Sequence, residues 1–295
     1  MDRRDQTLKD AQEALQANAF ERGLALAEAI LADVPNDAEA LYIAAVANRY
    51  LARYQDAQDY LDRLRSQIPE YGRAWQEAGH LARATGDTEQ AVDAYGRAVR
   101  FNPALAASWR AQAKLLEAAG RMGEATTARS QERRLLALPK ELIAVTHHLH
   151  EGRPLRAEEI CRHFLRRNPK NVEAMRLLAQ IGLRLGILDD AEFLLESAAA
   201  FEPDNIQVRL DYIDVLRKRQ KFARSCEQAE ALYKRDPDSP LFQSHLAIES
   251  MQTGNYDRAF ELFDSVLARL PGDPATLTSR ASRRSRAPPH SGHGR

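Results

Sequence analysis

Cysteine is nearly absent from this 295-residue chain. Two residues, Cys161 and Cys226, build no disulfide framework and do not point to an oxidising compartment. Glycine (14) and proline (13) are too sparse for a collagen-like or linker-rich protein. Neither sign of charge is in excess, with 42 Lys+Arg against 42 Asp+Glu, so the basic footprint of a whole-chain nucleic-acid binder is missing. At 44% hydrophobic residues the chain is equally unlike an acidic disordered segment. Long apolar runs are missing too. The longest, from Ala40 to Ala47, has eight residues, far short of the ~20 that span a bilayer. The start, Met1-Asp2-Arg3-Arg4-Asp5-Gln6, runs into polar Lys9, Asp10 and Glu13 with no apolar stretch of the signal-peptide kind. The expectation is a cytoplasmic chain that neither crosses a membrane nor binds nucleic acid. By length alone it holds about two domains.

The few prolines are informative, because most fall on a ruler. Pro35, Pro69, Pro103, Pro169, Pro203, Pro237 and Pro271 are separated by 34, 34, 66, 34, 34 and 34 residues. The long gap is two periods less two residues, and Pro139 inside it is read as the damaged joint. Small residues keep the same register. Ala44, Ala45, Ala78, Gly79, Ala113, Ala179 and Ala247 recur in one half of the period. Ala57, Ala91, Ala125, Ala157, Ala191 and Ala259 recur in the other. Small side chains there let paired helices approach closely. Each proline ends a helix, lacking an N–H and clashing with the preceding turn. Asn36-Asp37, Asn168, Asp204-Asn205, Asp236, Asp238-Ser239 and Asp273 are candidate caps for the helix that follows. Gly86, Gly120, Gly152, Gly186 and Gly254 mark turns where positive φ is expected. No strand signal competes, so the chain is all-α.

The third unit reads Trp75, Ala78, Gly79, Ala82, Ala91, Tyr95 and Pro103. The eighth has Leu246, Ala247, Ala259, Phe263 and Pro271, and the sixth Leu178, Ala179, Gly182, Ala191, Leu195 and Pro203. These resemble the tetratricopeptide repeat (TPR), a 34-residue helix–turn–helix unit, over residues from about Arg4 to Asp273. The resemblance implies a right-handed superhelical solenoid of about eight repeats. One repeat cannot bury its apolar face alone, so stacking supplies a shared core. The expected organisation is 1–137 as units 1–4, 138–273 as units 5–8, and 274–295 as an aborted ninth repeat with a disordered basic tail. In the fourth unit Arg129 and Glu132 stand where a large apolar and a small residue are expected. With the two-residue deletion this marks either a bend near Ala137 or a tolerated loop change.

No G-x-x-x-x-G-K-[ST], G-x-G-x-x-G, H-E-x-x-H or C-x-x-C occurs, so neither catalytic residues nor a cofactor are expected. His147-His148-x-His150, followed by Cys161 and His163, looks like a metal cluster. Adjacent residues on a helix point apart, however, and packing with exposure accounts for them. The remaining candidate site is the concave surface that the resemblance implies, lined by first-helix positions. Its bases are Arg49, Arg73, Arg83, Arg110, Lys114, Arg176, Arg184, Arg217 and Lys218, against the acids Asp5, Glu39, Glu117, Glu173 and Asp214. His80, His150, Tyr42 and Tyr50 add to it. A surface of that sign favours acidic or C-terminal-carboxylate peptides, which arginine forks grip bidentately. The bland alternative is that these arginines are solvated faces or inter-repeat ion pairs. Ile143 and Asp211 stand where the family's carboxylate clamp would want Asn, so a chaperone-tail partner is not carried over.

Some segments go beyond the generic repeat: Pro139-Lys140-Glu141-Leu142 with Thr146 and His147, Arg217 to Phe222, Pro240 to Ser244, Ile248 to Gly254 and Pro271 to Arg280. They are similar to the repeat array that precedes a sulfotransferase domain in certain bacterial proteins. That resemblance implies catalysis in a later domain whose phosphate loop has no counterpart here. After Ser279 the chain reads Arg280-Ala281-Ser282-Arg283-Arg284-Ser285-Arg286-Ala287-Pro288-Pro289-His290, and periodicity ends. A basic arm and a disordered end replacing the true continuation are the two readings. The sequence thus points to a non-catalytic scaffold that binds a peptide or partner helix. The alternative is the repeat region of a sulfotransferase lacking its catalytic half. Self-association through an uncapped C-terminal end is also expected.

Overall fold

The computed structural model describes residues 3–269, so the expected ninth repeat, basic tail and C-terminal self-association end lie outside the described residues. Among those residues the chain forms sixteen α-helices and no strand. They follow in pairs: α1 (Arg3–Gln16) with α2 (Phe20–Asp33), α3 (Ala38–Tyr50) with α4 (Tyr54–Gln67), α5 (Gly72–Thr85) with α6 (Thr88–Phe101), and α7 (Ala106–Ala118) with α8 (Met122–Leu136). Then come α9 (Lys140–His150) with α10 (Pro154–Arg167), α11 (Val172–Leu185) with α12 (Leu188–Phe201), α13 (Ile206–Lys218) with α14 (Phe222–Arg235), and α15 (Pro240–Gln252) with α16 (Tyr256–Arg269). The chain divides into two compact units between Ile160 and Cys161, inside α10. In the first unit α1, α3 and α5 stack side by side, and each of α2, α4 and α6 packs between its partner and the next first helix. The second unit repeats this with α11 and α13 as stacked first helices and α12 and α14 between pairs.

The punctuation follows from proline and turn chemistry. Each of α2, α4, α6, α10, α12 and α14 ends two residues before its proline, because a residue preceding proline is driven out of the helical region. The carbonyls of four of these prolines are then tied to the next helix. Trp75 Nε1 donates to Pro69 O (2.7 Å), Trp109 Nε1 to Pro103 O (3.0 Å), Arg209 Nε to Pro203 O (2.9 Å) and Gln243 Nε2 to Pro237 O (2.7 Å). One slot, six residues after the proline, does this with three residue types.

Asp37, Asp87, Asn171 and Asn205 cap α3, α6, α11 and α13, each accepting from a backbone N–H three residues on. Asn168 differs from the expectation of a cap, since its amide turns back to donate to Phe164 O (3.1 Å). Within each pair the turn holds one left-handed residue. Five are the expected glycines, and Asn18, Ala52 and Gln220 take the same role at φ near 58–59°.

The small-residue register is the packing register. Ala44, Ala45, Ala57, Ala91, Ala113, Ala157, Ala179, Ala191, Ala247 and Ala259 are wholly buried. At Gly79 an added Cβ would come 2.7 Å from the Tyr95 ring, so only glycine allows α5 and α6 to approach this closely.

The deletion lies elsewhere than expected. α9 starts 34 residues after α7, at Lys140, in register, with Pro139 as its N-cap residue. It has 11 residues where α3, α7 and α13 have 13. The two residues are therefore missing from the end of α9 rather than from a joint at Pro139, and proline sits at that helix start because no N–H is needed there. The polar residues of the fourth unit are matched in pairs. Arg129 donates to both Glu117 oxygens (2.9 Å each), and buried Glu132 accepts from Arg110 (2.6 Å).

Candidate functional site

In the first unit the polar residues of α3 and α5 converge. Arg49, in the last turn of α3, pairs with Glu77 on α5, which is almost fully buried. Burial pushes the Glu77 carboxyl up from its ordinary value, with Arg49 opposing. One helical turn before Glu77, the Arg73 guanidinium lies 3.9 Å from the Tyr42 ring centroid. It donates to Tyr71 Oη (3.0 Å) and to both Glu39 oxygens (3.3 Å each). Tyr71 Oη in turn donates to Glu39 (2.9 Å). Burial resists ionisation of Glu39, but Arg73, the Tyr71 hydroxyl and Arg153 together hold its carboxyl below the ordinary range. His80 Nδ1 faces Tyr95 Oη at 2.7 Å. Burial first, then Arg49 and Arg83, push His80 down to about 4, so the ring meets the tyrosine in its neutral form.

The end of α9 reaches the same place. Arg153 Nη2 donates to Glu39 Oε1 (2.7 Å), Glu151 lies 3.6 Å from Arg73, and Asn102 Nδ2 donates to Glu151 Oε1 (2.9 Å). His147 Nδ1 sits 3.2 Å from the same Asn102 amide, and burial lowers its pKa against the pull of Glu151.

The second unit has its own set. Arg176 donates to Glu173 (2.9 and 2.7 Å) and to Asp211 (3.0 Å), which also accepts from Gln180 and Gln207 (3.0 Å each). Arg217 donates to Asp214 (3.2 Å) and twice to Glu249 (2.7 and 2.5 Å), whose side chain is fully buried. On the second helices, Glu192 gathers Arg219, Lys221 and Arg224 (2.6–2.8 Å). Burial opposes its ionisation, and these cations override that and hold its carboxyl low. Cys161 is buried with its thiol pushed up to about 12, which makes it an unreactive packing residue.

Of the residues expected to line a groove, Tyr42, Arg49, Arg73 and His80 therefore form one cluster in the first unit. Arg110, Arg176 and Arg217 are each engaged by a carboxylate, while Arg83, Lys114, Arg184 and Lys218 are exposed. Sequence reasoning missed Glu77, Asn102, Glu151, Arg153 and Glu249, and it read Glu132 only as a departure from the repeat rather than as the partner of Arg110. A partial signal was there, because Arg49–Glu77 and Arg217–Glu249 are separated by 28 and 32 residues, close to one period.

A run of two-helix units in a 34-residue register, with a polar first-helix face and one left-handed turn per unit, defines a helical-repeat protein. Tetratricopeptide repeat models match residues 72–105, 148–210 and 211–274, together more than half of the chain, which belongs to the tetratricopeptide repeat family. No curated protein matches the sequence. Among solved structures it is similar to Naa15/Naa10 bound to HypK-THB (17% identity, 93% of this chain, 43% of that chain, TM-score 0.43). It is also similar to the Cut9-Hcn1 hetero-tetramer of the APC/C (14%, 89%, 52%, 0.43) and to MamA (15%, 69%, 96%, 0.38). The chain thus spans about half or less of the length of the first two.

Proposed function

We propose that this chain is a protein-interaction scaffold that does no chemistry itself and holds a peptide or partner helix, acidic in character, on the first helices of its units. The supporting observation is how the charge is divided. Carboxylates engage Arg49, Arg73, Arg110, Arg176 and Arg217, whereas Arg83, Lys114 and Lys218 stand exposed on α5, α7 and α13. Arg49, Arg73, Arg176 and Arg217 pair across repeats and Arg110 within one, while the exposed cations present their charge to solvent. Exposed side chains of this kind steer an acidic partner without cost to the fold.

The test is capture of partners from a cell extract with Arg83→Glu, Lys114→Glu and Lys218→Glu combined, beside Asp59→Arg on the exposed side of α4. The expected result is loss of capture with the first and none with the second. Equal capture by both would remove this face from the function.

A further inference from the structure

In a repeat array each unit touches its neighbours, and the ion pairs here follow that rule, with Arg49–Glu77, Arg217–Glu249 and Arg176–Asp211 spanning 28, 32 and 35 residues. Arg153–Glu39 spans 114. The turn after the shortened α9 lies on the face of α3 and α5, three and two repeats removed from the pair that α9 opens. It is held by charge and hydrogen bonds to Glu39, Arg73 and Asn102.

We propose that this face is a seat for the C-terminal end of a helix that carries a carboxylate there and a cation two residues later. The chain fills the seat with Glu151 and Arg153 of its own, and a partner helix with the same ending competes for it. The proposal rests on the scaffold reading above and names its ligand in the first unit.

The seat is braced by residues other than its occupant. Tyr42, Tyr71 and Glu39 fix the Arg73 guanidinium from three sides, which lowers the ordering cost of binding. Its present occupant fits imperfectly. The Glu151 side chain is fully buried, yet its Oε2 accepts no hydrogen bond and stands 3.6 Å from Arg73. A buried carboxylate with one oxygen unsatisfied is costly. It also stands just past the last residue of α9, at the negative end of the helix dipole, where a carboxylate is unfavourable. Helix stability therefore does not explain an acid here, whereas recognition by Arg73 and Asn102 does. A partner carboxylate able to take both Arg73 nitrogens would hold more strongly.

The probe is a fluorescently labelled, end-capped peptide of residues 140–153, added to the full chain and followed by anisotropy. Glu151→Ala with Arg153→Ala vacates the seat and should bind the probe about ten-fold more tightly than the unaltered chain, because an occupied seat weakens apparent affinity by its vacant fraction. Adding Arg73→Ala should abolish that gain, as should Glu151→Gln within the peptide. Equal affinity for the unaltered and vacated chains, or a gain indifferent to Arg73, overturns the proposal. Should the double variant not fold, Glu151→Gln alone supports the same comparison, since it removes the carboxylate from Arg73 while keeping the side chain's shape. Failed probe binding with intact charge-dependent capture through Arg83, Lys114 and Lys218 overturns only the seat; failure of both overturns the scaffold reading as well.

Discussion

Arg153 and Glu39, 114 residues apart in the sequence, meet at 2.7 Å. The contact ties the end of α9 to the helix that opens the second repeat, so the first unit is cross-braced rather than merely stacked. Since Arg153 is partly exposed, the pair is expected to couple by about 0.5–1 kcal/mol. A double-mutant cycle with Arg153→Ala and Glu39→Gln, read from urea unfolding, measures it, and additive losses would mean the contact is idle.

The Arg217–Glu249 pair is expected to behave differently, because the Glu249 side chain is fully buried. Arg217→Ala leaves that carboxylate without its cation and should cost about 3 kcal/mol. Replacing both residues by leucine should cost clearly less, because no charge then stays buried. Equal losses for the single and double replacements in chemical denaturation would refute the assignment.

Three turns use non-glycine residues in the left-handed region. For Ala52, at φ 58°, nothing in its side chain relieves the strain of that backbone. Ala52→Gly should therefore stabilise by about 1 kcal/mol, and Gly86→Ala at the equivalent turn should destabilise by a similar amount. Thermal melting of the two variants should give shifts of opposite sign.

His80 sets part of the acid response. Its folded pKa is near 4, below the ~6.5 of an unfolded histidine. Between those values the unfolded chain binds the extra proton, so this contribution to stability falls as pH drops from about 6.5 towards 4. His80→Asn should flatten the stability profile in that window relative to the unaltered protein. Parallel profiles from melts at pH 7, 6 and 5 would show that His80 is not the responding group.

Much of the fold was legible in the sequence because its determinants are local. Proline ends the second helices, glycine marks turns, and alanine marks close approaches, all at one period. Extending the glycine ruler to positions 18, 52 and 220 would have located the other three turns as well. The candidate site was legible only in part. The first-helix arginines could be found by register, but their acids lie on neighbouring repeats, and matching them needs the stacking offset. Asp211 could be read as a departure from an expected Asn, but its role as acceptor for Arg176, Gln180 and Gln207 could not. The meeting of Glu39 with Arg153 was beyond reach, since it depends on the path of α9, and the proline spacing alone places the missing residues at the Pro139 joint instead of at that helix's end.

The central claim is that partners bind on the first helices. A photo-crosslinking residue placed at Lys114, on α7, and separately at Asp59, on α4, tests this most directly in living cells. Discrete crosslinked proteins are expected from position 114 and none from position 59. Crosslinks confined to position 59, or the same products from both positions, would contradict it.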